Sequence, residues 1–87
     1  MPSPLLSHSF GAVVRRRRLE MGLSQEELAE LAQVHATYIG LVERCKRNCS
    51  LDVANAIGRG LDVALSVLIE EAEAHQKQVS RKSPKRS

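Results

Sequence analysis

The sequence predicts an all-α fold of five short helices in one domain. Three observations predict it. Aromatic residues are nearly absent, with one Phe, one Tyr and no Trp, so the core must be built from Leu, Val, Ile and Ala. Glu and Arg fill much of the remainder, a composition that favours helices. Apolar residues recur at helical spacing, and no stretch alternates with the two-residue period of a half-buried strand. Eighty-seven residues suit a single core near the lower limit of chains that fold alone.

Residues 1–9 are punctuated by Pro and Ser and predict a disordered N-terminal arm. The domain is expected over residues 10–75. Its first helix runs from about Phe10 to Met21, with Phe10, Val13, Val14 and Met21 inward. Gly22 ends it at the position that favours a left-handed residue. Ser24 with Glu27 three residues later is a capping box that opens the second helix, whose buried stripe is Leu28, Ala29, Leu31 and Ala32. A third helix follows almost at once, with Val34 filling the gap between the two and Ile39 and Val42 turned inward. Ser50 is the expected N-cap of the fourth, which buries Val53, Ala54, Ile57 and Leu61; its Gly58 and Gly60 each cost roughly 1 kcal/mol of helix propensity. The fifth runs from Leu65 to about His75, with Leu65, Leu68, Ile69 and Ala72 at the spacing i, i+3, i+4, i+7. Residues 76–87 are polar and basic, contain Pro84 and are expected to form a basic disordered tail.

The formal charge is +3, but the last twelve residues alone hold five bases and no acid. The rest of the chain is therefore at −2, and the total is a poor argument for a nucleic-acid partner. Local clustering says more: Arg15 to Arg18 form one basic run, and Arg44, Lys46 and Arg47 form another. No secretory signal is legible, because the basic run follows the apolar N-terminal stretch. No segment approaches the roughly 20 apolar residues that span a membrane, and a cytoplasmic location is expected.

The chemistry of several function classes is missing. There is no Gly-rich phosphate loop, nucleophile elbow or carboxylate pair, and no room for a second domain around a pocket. Cys45 and Cys49 have a C-x₃-C spacing that does not match a structural zinc site of four ligands. They are expected to behave as small apolar side chains. His8 and His75 are expected in terminal or solvated positions. No enzyme activity, cofactor or metal is expected.

Two helices joined by a tight turn describe an αα-hairpin or a helix-turn-helix. Ala29 is small where the third helix must cross the second, Val34 is apolar in the turn, and Ile39 and Val42 return to the core at the intervals a steep crossing needs. The N-terminal half of the third helix is then left outside, free to enter a major groove. Its outer face carries Ala36, Thr37, Tyr38 and Gly40, small or neutral where a solvated face is usually Glu and Lys.

The stretch from Phe10 to about Leu68 resembles the phage-repressor (Cro/C1, or Xre) helix-turn-helix family. Within it, "SQEELAE…HATYIGLVERCKRN" is especially similar to the controller proteins of restriction–modification systems. The resemblance implies a compact five-helix, lambda-repressor-like DNA-binding domain, acting as a homodimeric transcription regulator on a palindromic operator. It implies DNA contacts from Gln25, His35, Ala36, Thr37, Tyr38, Gly40, Arg44, Lys46, Arg47 and Asn48. In that set Gln25 meets a phosphate at the helix N-terminus, and Arg47 and Asn48 grip phosphate beyond the third helix. It further implies an ion pair of Arg18 and Glu43 that ties the first helix to the third. Ala36 and Gly40 stand where relatives often carry Arg, Gln or Ser, so specificity is expected from methyl contacts and DNA shape. Gln33 and Cys45 replace usual glycines and are expected in left-handed conformations, each costing about 1 kcal/mol.

The expected partners are double-stranded DNA and a second copy of the chain, joined through Leu65, Val67, Leu68, Ile69 and Ala72 on the fifth helix. The rival reading is a protein-interaction module such as an antitoxin. It would use the acidic faces of the second helix (Glu26, Glu27, Glu30) and the fifth (Glu70, Glu71, Glu73).

Overall fold

A computed structural model of the chain describes residues 5–45 and 49–82. Among them are five α-helices and no strands: α1 (Leu6–Glu20), α2 (Gln25–Ala32), α3 (Ala36–Glu43), α4 (Leu51–Gly60) and α5 (Leu65–Lys82). The first helix lies against α5 and α3, α2 packs on α3 and α4, and α4 returns to α5. The space they enclose is filled by Phe10, Val13, Val14, Leu28, Ile39, Val42, Ile57, Leu61 and Leu68, with Ala29, Ala32, Ala54 and Ala72 at the close approaches. The aliphatic core predicted from composition is present.

The helix boundaries follow local chemistry. At the start of α2 the Ser24 hydroxyl accepts from the Glu27 amide at 3.0 Å, and the Glu27 carboxylate accepts from the Ser24 amide at 2.8 Å, the reciprocal bonding of a capping box. Ser50 caps α4 by accepting from the Val53 amide at 3.1 Å. Three helices end on the same device. After α1, α2 and α4 a left-handed residue (Gly22, Gln33, Asp62) lets the next amide reach back five residues, from Leu23 to Arg18, Val34 to Ala29 and Val63 to Gly58. Those bonds satisfy terminal carbonyls that no helix can satisfy internally. Gln33 and Cys45 have φ of 61° and 62°, as their replacement of glycine predicts; Asp62 at 59° joins them without such a signal.

Several expectations are corrected. The first helix begins at Leu6, so residues 6–9 are helical and Ser9 is fully buried. Leu6 packs against the core, and the Ser9 hydroxyl lies 2.9 Å from His75 Nδ1 across the α1–α5 interface. His75 is thus a half-buried interhelical partner. Helix α5 continues through residues 76–82, which hold no Gly or Pro to stop it; Pro84 lies outside the described residues. Met21 and Leu31 are exposed. Leu31 sits about 110° around α2 from the centre of the arc formed by Leu28, Ala29 and Ala32, beyond the reach of the core.

One approach decides how α1 meets α3. A Cβ built on Gly11 would stand 2.2 Å from the Val42 carbonyl oxygen and 3.2 Å from its carbon. Only a residue without a side chain lets the two backbones pass there. Gly60 plays a similar part for α4, since a Cβ there would meet the Ala32 amide nitrogen at 3.2 Å. The propensity cost of that glycine accompanies a tight helix contact.

Candidate functional site

Helix α3 is held at its C-terminal end. At its last turn Glu43, whose side chain is 1% exposed, accepts from Arg18 Nε at 2.7 Å and Arg18 Nη2 at 3.1 Å. Arg18 Nη1 also donates to the Leu23 carbonyl at 2.7 Å, so one guanidinium joins α1, the α1–α2 turn and α3. Hydrogen bonding to Glu43 outweighs burial and raises the Arg18 pKa above its usual value. Glu43 has a third donor, Gln25 Nε2 at 3.1 Å. The start of α2 is therefore fixed to the end of α3 through a buried carboxylate.

This changes the expected role of Gln25. Its carboxamide is half-buried and engaged with Glu43. A carboxamide has two N–H donors, so one remains for an external acceptor. Gln25 also opens α2, where the first amides have no partner within the helix and favour an anion.

The outer surface of α3 is mixed. His35 and Thr37 are exposed, Ala36 and Tyr38 are half-buried, and Arg44 is exposed just past the last turn. Gly40 is buried, against the expectation that it faces outward. The Arg44 guanidinium and the Gln25 carboxamide lie over it. Lys46, Arg47 and Asn48 lie outside the described residues. The face that remains is small and neutral at Ala36 and Thr37, with Gln25 and Arg44 together over Gly40 on the same helix.

The basic run on α1 is not a free cationic patch. Arg16 Nη2 lies 2.6 Å from Glu71 Oε1, Arg17 Nε donates to the same oxygen at 2.9 Å, and Arg17 Nη2 pairs with Glu71 Oε2. The hydrogen bond from Arg17 holds the Glu71 carboxyl below its ordinary pKa, with Arg16 adding to the effect. With Arg18 on Glu43, three of the four arginines bind internal carboxylates. Residues 54 and 55 positions apart in the chain leave no local signal of such pairing.

The stripe assigned to self-association divides. Leu68 and Ala72 are fully buried in the chain's own core, because α5 turns them toward α1 and α4, and they are not part of the surface. Leu65 and Ile69 are half-buried and Val67 is 37% exposed. Ile69 borders an apolar groove of about 190 Å³ with Leu6, Phe10, Leu51 and Ala54. At its rim Leu51 is 77% exposed, and nearby in the chain Leu5 is 62% exposed. Cys49 also lines the groove, and burial pushes its thiol pKa up, which disfavours the reactive thiolate. Among the described residues no group of His, Cys, Asp and Glu could hold a metal ion, and no helix is long and apolar enough to cross a membrane.

Comparison with known proteins agrees with this geometry. Residues 9–72 match the family described as a helix-turn-helix domain. The chain is similar to the control protein C.BamHI of Bacillus amyloliquefaciens, 42% identical over 62 residues that cover 70% of this chain and 76% of that protein. Its fold resembles that of the clp gene regulator ClgR from Corynebacterium glutamicum, with a TM-score of 0.83 at 27% identity over 93% of this chain and 87% of that one. It is also similar to the restriction–modification controller protein C.Esp1396I, solved as a tetramer in complex with its natural 35 base-pair operator. There the TM-score is 0.78 at 31% identity over 85% of this chain and 97% of that one.

Proposed function

Because the chain belongs to the helix-turn-helix family that includes the restriction–modification controller proteins, we propose that it is a sequence-specific, DNA-binding transcription regulator. It acts as a homodimer that places the N-terminal half of α3 in the major groove of a palindromic operator. The observation that carries this reading is the anchored recognition unit: Arg18, Glu43 and Gln25 lock α1, α2 and α3 together behind a neutral, exposed α3 surface. A rigid mount of that kind presents base-reading groups in one register.

In this reading Thr37 and Ala36 meet base edges and thymine methyl groups. Gln25, the α2 N-terminus and Arg44 meet phosphates, which position the protein without choosing sequence. Lys46, Arg47 and Asn48 add phosphate contacts beyond α3. The second copy covers the groove side of α5 and α4, through Leu65 and Ile69 joined by Leu51. Val67, two residues from each of the α5 pair, points about 160° away around the helix and stays outside this contact. Leaving a large apolar side chain wet costs about 1.5–3 kcal/mol, which favours such a cover. The protein-interaction reading loses support from the internal use of its acids. Glu27 closes a capping box and Glu71 is taken by Arg16 and Arg17.

The test is binding at physiological salt to the DNA upstream of the protein's own gene, against a random duplex of equal length. A preference of at least about 10³-fold is expected for a specific regulator. Equal affinities would reject the reading.

A further inference from the structure

Gly40 sits where two side chains from different helices converge. A Cβ at this position would stand 3.3 Å from Arg44 Nη1 and 3.3 Å from Gln25 Oε1, with Gln25 Nε2 at 3.7 Å. The approach of Arg44 follows from helix geometry. Its amide donates to the Gly40 carbonyl at 3.0 Å, and a side chain covers the turn N-terminal to its own Cα. The approach of Gln25 follows from its bond to Glu43, itself held by Arg18. The guanidinium and the carboxamide thus share a notch that exists because residue 40 has no side chain.

We propose that Gly40 is a positioning residue: its empty side-chain site keeps the Arg44 guanidinium folded back beside Gln25, so that the two form one donor pair for a single backbone phosphate. The proposal rests on the DNA-binding reading above and deepens it. Within that pair the Gln25 carboxamide is oriented by Glu43 and keeps one N–H, while Arg44 supplies the charge. A guanidinium and an amide aimed at one anion make the short, charge-assisted bonds that phosphate favours. A methyl group at position 40 pushes both ends away by a few tenths of an ångström. It does so without touching the core, because the atoms it meets are the far ends of flexible side chains.

This predicts an unusual separation of stability from function. Alanine is a better helix former than glycine, so Gly40→Ala is expected to melt at or above the temperature of the unsubstituted protein. Its affinity for the duplex upstream of its own gene should fall about tenfold, the scale of one charge-assisted hydrogen bond, and the slope of log K against log salt should shrink by about one. The decisive comparison adds Arg44→Ala and the double variant, all measured on that duplex and on a random one. If Gly40 acts through Arg44, adding Gly40→Ala to Arg44→Ala changes affinity by less than about twofold, since the group being displaced is gone. A full tenfold loss persisting in the Arg44→Ala background would mean that the methyl group meets DNA directly and would overturn the proposal. So would unchanged affinity of Gly40→Ala, or a lower melting temperature that accounts for the loss. Failure of the underlying reading looks different: the unsubstituted protein itself would not distinguish the two duplexes, and both conclusions would fall.

Discussion

Replacing Arg18 by methionine removes two of the three donors to a carboxylate that is 1% exposed, leaving only Gln25 Nε2 at 3.1 Å. It also strips the Leu23 carbonyl of its bond from Arg18 Nη1. Breaking one side of a buried pair costs about 3–5 kcal/mol, because the remaining charge is left without compensation. A domain of 87 residues has a total stability of about 4–13 kcal/mol, so the variant should lie near the edge of unfolding. The paired substitution Arg18→Met with Glu43→Leu removes both charges and should recover most of the loss, to within about 2 kcal/mol of the unsubstituted protein. It does not restore the partner of Gln25, so DNA binding should stay weakened in a protein that folds. Urea unfolding followed by circular dichroism gives the stabilities, and fluorescence anisotropy with labelled duplex gives the affinities. A loss below about 1 kcal/mol for Arg18→Met would refute the account of the pair. Full-strength DNA binding by the paired variant would refute the link from Glu43 to Gln25.

Gly11→Ala should destabilise the fold despite its gain of about 1 kcal/mol in helix propensity. The 2.2 Å approach to a backbone oxygen forces α1 away from α3, a net loss of about 1–3 kcal/mol by urea titration. Acid should weaken the α1–α5 contact. The Glu71 carboxyl is held below its ordinary value of 4.5, so its contribution is complete above that value and is lost as pH falls through it toward the folded value. Glu71→Gln should remove about 1 kcal/mol at pH 7 and flatten the acid limb of stability below pH 4.5, measured as urea midpoints. Leu51→Lys alters a side chain that is 77% exposed in the single chain and should leave monomer stability within about 0.5 kcal/mol. It should weaken self-association at least tenfold by sedimentation; an unchanged dimer would place the interface elsewhere.

What could be read in the chain without its structure is what depends on near neighbours. The Ser24–Glu27 capping box and the Ser50 cap lie within a few residues of their causes, whereas the left-handed Gln33 and Cys45 are legible only through the resemblance, as positions where relatives carry glycine. The spacing of Leu65, Leu68, Ile69 and Ala72 located the start of α5 but not its end, which lies at Lys82 instead of near His75. It could not say that Leu68 and Ala72 face this chain's own core while Ile69 borders a groove, because periodicity defines a face and not its neighbour. The bonds of Arg16 and Arg17 to Glu71 and of Ser9 to His75 join opposite ends of the chain and depend on a helix packing that no local pattern encodes. Gly40 shows the same limit at the site. Its place on α3 is outward by helical phase, but side chains from α2 and from the next turn of α3 close over it.

The most direct test of the account is the discrimination of Thr37→Ala. Thr37 is exposed on α3 and held in place by a mount it does not belong to, so the substitution should leave thermal stability within a few degrees. If this face reads bases, affinity for the duplex upstream of the protein's own gene falls by about 1–2 kcal/mol while affinity for random DNA stays constant. The specific-to-random ratio then narrows about 5- to 30-fold. A folded Thr37→Ala protein whose ratio is unchanged would contradict the claim that α3 selects the sequence.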